Sequence, residues 1–436
     1  MNTFLKSKIR FYQIICMIGL LFIHNYNYSP YTITPSTLIE GKASLEVFIE
    51  LFVSNSLLRF RMPLLMAISG YLMANSKELP YAQLLIKKFK TLIIPYFFIS
   101  ITGLVLTCIF EILVYGFHSN DGLLGKSLWH YGVKDILNFL FINPVSFQLW
   151  YLKIIFLLAA FSPIIRSVLK RVPIQALSVM FLVWMFTNHL DGEIRDRGFI
   201  FYIFGFYLKM YNIDLSKPIS SFKPIYALHL FIALCFIRTG LSFYHGGNIG
   251  YIKYLLTMLF KVNEILGLYA CWFCFDGFVA MMINKKWYTQ ISTCSFFVYA
   301  FHAPLINYIG DFLMAKHFYT FTASHLVSYV FVPSLLLPSL VLLDKIVHQH
   351  FPKFYLLFSG GRGEIDKRSL VTIRKEGIYY YAVDYVYDTL VSTLEFIIRK
   401  PVSLFSGCYL YFVRLEEINI KYWVGIRKEA HQLSIA

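Results

Sequence analysis

Six polar side chains stand where an apolar chain would be cheaper without them, or close beside such a place: Arg10, His24, Arg59, Arg61, Ser69 and His302. His24 closes the run FYQIICMIGLLFIH at 11–24. Imidazole titrates near neutrality, so a histidine held there can serve as a general base with little tuning. Its bland role would be a hydrogen bond near an interface, to a backbone carbonyl or to Tyr26 or Tyr28. Arg59 and Arg61 flank Phe60, just before Pro63. Two guanidinium groups so placed can grip phosphates or steady a developing oxyanion. Their alternative is a re-entrant loop in which they pair with Glu46 or Glu50. His302, in FVYAFHAP, fits catalysis or a structural hydrogen bond to a neighbouring helix.

Such groups need a framework that holds them away from lipid. The chain has 436 residues, 58% of them hydrophobic and 19% aromatic, with mean hydropathy +0.60. That is too apolar for a water-soluble domain and reads as a polytopic membrane protein. Ten spans are expected, at about 11–28, 47–74, 91–115, 149–165, 174–190, 199–211, 225–244, 254–283, 291–314 and 324–344, the sixth of them short. The fold class is therefore all-α, a transmembrane helix bundle. Pro63 removes a backbone donor inside the second span, so a break is expected there, lining a polar cavity.

Charge sets the orientation. The net charge of +16 lies in short clusters between apolar runs rather than in one basic surface, which speaks for topology and against nucleic acid. Lys6, Lys8 and Arg10, then Lys87, Lys88 and Lys90, then Arg166, Lys170 and Arg171 fall in one alternating set of connections. The loops around 30–46, 116–148, 191–198, 245–253 and 315–323 are poorer in Lys and Arg. Both termini are thus expected in the cytoplasm, with His24 near the outer end of the first span. Residues 364–436 mix charges of both signs with Tyr, Val and Phe, and read as a cytoplasmic or membrane-surface extension of a 1–363 transmembrane domain. No cleavable signal peptide fits the first run. The seven cysteines show no disulfide framework, and CWFC at 271–274 lacks the second ligand pair of a zinc site.

Several stretches together resemble the acyltransferase family 3 membrane proteins: FIH at 22–24, RFRMPLLMAISGYLMA at 59–74, KKFKTLIIPYFF at 87–98, FQLWYLKIIFLLAAFSPII at 147–165, ISTCSFFVYAFHAPLI at 291–306 and FPKFYLLFSGGR at 351–362. Their order and spacing match over roughly residues 8 to 363. The resemblance implies an integral membrane enzyme of the bacterial inner membrane that moves acyl groups, most often acetyl, from cytoplasmic acyl-CoA to hydroxyls of cell-surface or secreted glycans. The family pattern places Arg or Lys eleven residues before the first-span histidine; here that residue is Gln13. Arg10, one turn earlier on nearly the same face, either reaches the same pocket or this branch does without the charge.

On that resemblance His24 is the general base, with Arg10 as the catalytic partner. Arg59, Arg61, Ser69 and His302 are the candidates for holding the acyl-CoA. Ser69 with Gly70, and Ser295, are otherwise small residues that let helices approach. Arg195 and Arg197 in DGEIRDRGF fit local pairing with Asp191, Glu193 and Asp196. Trp150 and Tyr151 suit an interface, while Asp276 and Lys153 suit intramembrane pairing. No GxSxG, HExxH, phosphate-loop or dinucleotide pattern is present. A secondary transporter or glycan flippase is the alternative class, since broken helices and midplane charges also describe transporters.

Overall fold

A computed structural model describes residues 3–25, 34–39, 44–76, 79–116, 123–124, 126–186, 198–218, 221–244, 246–313 and 324–361. Two compact units are distinguished, Met1–Ser76 with Leu92–Glu364, and Lys77–Thr91 with Ile365–Ala436. In the second unit the described residues form helix α4 and the start of the π-turn that follows it. The expected extension at 364–436 and the Arg195/Arg197 cluster lie outside the described residues.

All described regular structure is helical, in chain order α1 (Thr3–His24), α2 (Leu45–Leu51), α3 (Arg61–Ala74), α4 (Tyr81–Lys88), α5 (Ile94–Tyr115), α6 (Val133–Phe141), α7 (Trp150–Ala160), α8 (Ser162–Arg171) and α9 (Pro173–Phe186). Then follow α10 (Phe199–Met210), α11 (Pro224–Leu241), α12 (Ile249–Cys274), α13 (Asp276–Met282), α14 (Lys286–Thr293), α15 (Ser295–Phe301), α16 (Leu305–Leu313), α17 (Ser324–His350) and α18 (Pro352–Ser359). Among the described residues six stretches are long and apolar enough to cross a bilayer: Thr3–His24, Leu45–Ala74, Tyr81–Tyr115, Pro224–Leu241, Ile249–Cys274 and Leu326–His350. Helix α5 shows why water is the wrong solvent. Ile101, Val105, Ile109 and Leu113 form an exposed apolar stripe four residues apart, while Ile99, Gly103, Thr107 and Glu111 face inward.

Three of the remaining expected spans, the fourth, sixth and ninth, are short or interrupted among the described residues. The sixth is indeed short, the 12 residues of α10. The fourth bends by 57° between Ala160 and Ser162, beside Pro163, whose missing N–H interrupts the helical ladder. The ninth, expected as one helix over 291–314, is three: α14, α15 and α16, with the last break at His302–Pro304. There His302 Nδ1 sits 3.1 Å from the Val298 carbonyl and 2.9 Å from that of Tyr299, so the ring caps the end of α15.

The second span breaks near Pro63 as expected, but just upstream of it. Helix α2 passes into a π-turn at Phe52–Ser56 and a 3-10 turn at Leu57–Phe60 before α3 begins at Arg61. Proline disrupts the turn N-terminal to itself, because its ring collides with the carbonyl four residues back, here that of Arg59. Downstream, α3 lies against α10 at backbone contact. A Cβ on Gly70 would stand 1.9 Å from the Tyr202 carbonyl oxygen, and one on Gly205 1.9 Å from that of Ala67. Glycine is required at both positions by space alone.

Candidate active site

His24 is the last residue of α1, and the residue after it fixes the helix end. Asn25 is buried and donates from Nδ2 to the carbonyls of Ser328 (2.9 Å) and Tyr329 (3.1 Å) on α17. Ser54, in the π-turn, donates to the Phe22 carbonyl at 3.1 Å and lies 2.6 Å from the Tyr329 hydroxyl. The last turn of α1 is thus tied to two other elements, which fixes the backbone that carries the partly accessible His24 ring.

Two rings flank it. Phe147 meets His24 edge-on at 4.6 Å between centroids, and His302 lies nearly parallel at 5.4 Å. His302 is fully buried. With Nδ1–H spent on the α15 carbonyls, its tautomer leaves Nε2 as a bare acceptor, and Nε2 has no hydrogen-bond partner among the described residues. The α15 break that carries His302 is clasped by Gln148. Its Nε2 donates to Ala300 (2.9 Å) and Ala303 (3.0 Å), and its own carbonyl accepts from the Tyr299 hydroxyl at 2.7 Å.

The charges of Arg59 and Arg61 both act on His24, and that of Arg61 also acts on His302. Arg61 is 5% exposed, its stem running along α1 at Gly19, and Nε and Nη1 have no hydrogen-bond partner among the described residues. A buried guanidinium with open donors is expensive unless a ligand takes them. The carboxylate that acts on Arg61 is Glu264 of α12, itself buried, rather than Glu46 or Glu50. The charges of Glu50 and Arg59 both act on Tyr329.

The structure therefore sets two of the six sequence candidates, His24 and His302, ring to ring, with Arg59 and Arg61 within electrostatic range of His24. Ser69 does something else, its hydroxyl lying 2.7 Å from the Tyr151 hydroxyl and joining α3 to α7. Ser295 likewise turns inward on its own chain, to the Ser292 carbonyl. Arg10 is not brought to His24: it is exposed, and 14 residues of helix separate the two, about 21 Å at the usual rise per residue. Its charge acts on Tyr288 instead. The buried cation in that region is Lys8, ion-paired to Asp276 and stacked over Trp272 at 4.5 Å. Lys153 donates to the Ile142 carbonyl, so both intramembrane charges whose partners the sequence left open are accounted for.

Sequence reasoning passed over Asn25, Gln148, Glu264 and Arg238. The signal existed for the last two, since each is a charge inside an expected span. Asn25 and Gln148 act on carbonyls more than 150 residues away, which no local pattern announces. Among the described residues no three His, Cys, Asp or Glu side chains converge as for a metal. A separate cavity of about 400 Å³ lies among Leu64, Ile68, Trp184, Phe201, Ile265 and Trp272. Its lining carries no ionisable group other than tyrosine, so it offers an anionic substrate nothing.

Comparison with known proteins places the sequence in a family. A family described as an acyltransferase domain matches residues 8–343. The succinoglycan biosynthesis protein ExoH of Rhizobium meliloti (strain 1021) is 23% identical over 318 residues, 70% of this chain and 80% of that protein. No solved structure matches.

Proposed function

The chain belongs to the acyltransferase-domain family, and from that premise we propose that it transfers an acyl group, acetyl by preference, from acyl-CoA to a hydroxyl of a cell-surface or exported polysaccharide. That it is a multi-pass membrane acyltransferase follows from the family and the apolar helices; donor, acyl group and acceptor are the proposal. The polysaccharide acceptor is suggested by the relative named for succinoglycan biosynthesis. The observation that carries the reading is the pair of imidazoles, one of them with a bare nitrogen, within electrostatic range of a buried guanidinium, that of Arg61, whose Nε and Nη1 are open among the described residues.

In this reading acyl-CoA enters from the cytoplasm and the acceptor approaches from outside, with the protein in the inner membrane and both termini cytoplasmic. The acceptor hydroxyl gives its proton to His24 as its oxygen bonds to the thioester carbonyl carbon. The negative charge that develops on the carbonyl oxygen faces Arg61 and Arg59. The carbon–sulfur bond then breaks, and the departing thiolate takes the proton back from His24. His302 Nε2 serves as a fixed acceptor that orients the hydroxyl or the protonated His24 ring. Arg59 and Arg61 also suit the phosphates of the donor. A transporter or flippase, the alternative class, would use the same broken helices but would consume no thioester.

The test is release of free thiol from acetyl-CoA by purified protein in nanodiscs, with and without de-O-acylated polysaccharide of the source organism. Acceptor-dependent thiol release, with one acyl unit gained per repeat by mass spectrometry, is expected. Polysaccharide transport or binding without thiol release would overturn the reading.

A further inference from the structure

Arg238 is a second buried arginine, 1% exposed, on α11 and apart from the acid–base groups. Its hydrogen bonds run to two separate stretches of backbone. Nη1 donates to the Asn55 carbonyl and, at 3.1 Å, to Ser56 Oγ, while Nη2 donates to the Pro35 carbonyl at 2.9 Å. Its plane lies over the Phe260 ring at 4.9 Å. Around it, Asn263 Nδ2 donates to the Ser56 carbonyl at 3.2 Å, and Thr239 Oγ1 lies 3.1 Å from Ser56 Oγ.

Both stretches matter to the site. Asn55 and Ser56 end the π-turn, and at Ser56 (φ −118°, ψ −67°) the backbone leaves helical geometry. Carbonyls at such a switch lose their regular partner and must find another when buried. One residue added to a turn rotates everything beyond it by about 100° around the helix axis. Arg59 and Arg61 come three and five residues later, so the bulge decides which face they leave from. Pro35 lies on the chain that leaves α1 after His24 and Asn25, and its neighbour Ile39 is held to the Ser242 carbonyl just past α11.

We infer that Arg238, with Asn263, is a positioning device that holds the π-turn and thereby aims Arg59 and Arg61 at the donor while fastening the stretch 34–39 to it. The inference rests on the reading that those arginines hold acyl-CoA. It is tested on the full chain in nanodiscs with Arg238→Lys, Arg238→Met and Asn263→Ala, beside Arg61→Ala. Folded protein is quantified by gel filtration and melting temperature. CoA binding is measured by calorimetry, and KM for acetyl-CoA and for acceptor by thiol release.

Arg238→Met is expected to weaken CoA binding and raise the acetyl-CoA KM by about tenfold per folded molecule, with acceptor KM moving less than about twofold. Arg238→Lys restores part of the loss, because one ammonium reaches one of the two carbonyl sites. Asn263→Ala gives a smaller change in the same direction and serves if Arg238→Met does not fold. A purely structural role predicts lower melting temperature with unchanged CoA affinity in Arg238→Lys and Asn263→Ala, and that result overturns the inference. If Arg61→Ala also binds CoA normally, the donor-binding reading falls with it. If Arg61→Ala loses affinity while the Arg238 and Asn263 variants keep it, only the positioning role is refuted.

Discussion

Replacing Arg61 separates charge from geometry at the point where the site is most demanding. In Arg61→Met the stem that passes Gly19 keeps its bulk, while Nε, Nη1 and the positive charge are lost. Two buried donors are open in the folded protein, and a hydrogen bond to a charged partner contributes about 1.5–3 kcal/mol. If both serve the donor, about 3–6 kcal/mol of binding and transition-state stabilisation disappear, or about 10² to 10⁴ in kcat/KM for acetyl-CoA at 1.4 kcal/mol per tenfold. Arg61→Lys keeps the charge that Glu264 faces and supplies one of the two bonds, so its loss should be about 10- to 100-fold. The assay is thiol release at varied acetyl-CoA, with CoA binding measured separately, both normalised to folded protein. Wild-type kcat/KM and CoA affinity in Arg61→Met would refute the idea that these open donors await the substrate.

Other perturbations probe the frame around the site. Arg10→Ala should change turnover by less than about twofold, since some 21 Å of helix separates that exposed side chain from His24; a loss above about tenfold would restore Arg10 to the mechanism. Gly70→Ala should abolish monodisperse protein in gel filtration, because the new methyl group meets the Tyr202 carbonyl backbone at 1.9 Å; normal folding would show that α3 and α10 can separate cheaply. A cysteine engineered at Lys126 should react with an impermeant thiol reagent in intact cells, and one at Ser221 only after permeabilisation; the reverse would invert the orientation of His24.

How far the sequence reaches can be judged residue by residue. His24, Arg59, Arg61 and His302 were visible because a charge or imidazole in an apolar run is rare and costly; the two imidazoles lie ring to ring, and both arginines act electrostatically on His24. The break near Pro63 was visible for the same kind of reason, a missing donor, though its displacement into the preceding turns needed coordinates. The interruption of the ninth span was missed, although Pro304 marks it, because apolar composition continues unbroken through His302. Arg10 was read as the partner of His24 because spacing along a helix gives a residue's face but not what that face meets; in the fold it is exposed, and Lys8, two residues earlier, is the one turned inward. Arg238 was legible as an intramembrane charge, yet its role lies in carbonyls 183 and 203 positions away.

The central claim is that His24 is the general base, and its most direct measurement is acyl transfer per folded molecule in His24→Ala. The ring contributes its contacts with Phe147 and His302, while the end of α1 is held by Asn25 and by the Phe22 carbonyl, so the variant should insert, fold and bind CoA. Acceptor-dependent turnover should fall by about two to four orders of magnitude, the usual worth of a positioned base. Turnover near the wild-type value in folded His24→Ala would remove this residue from the chemistry.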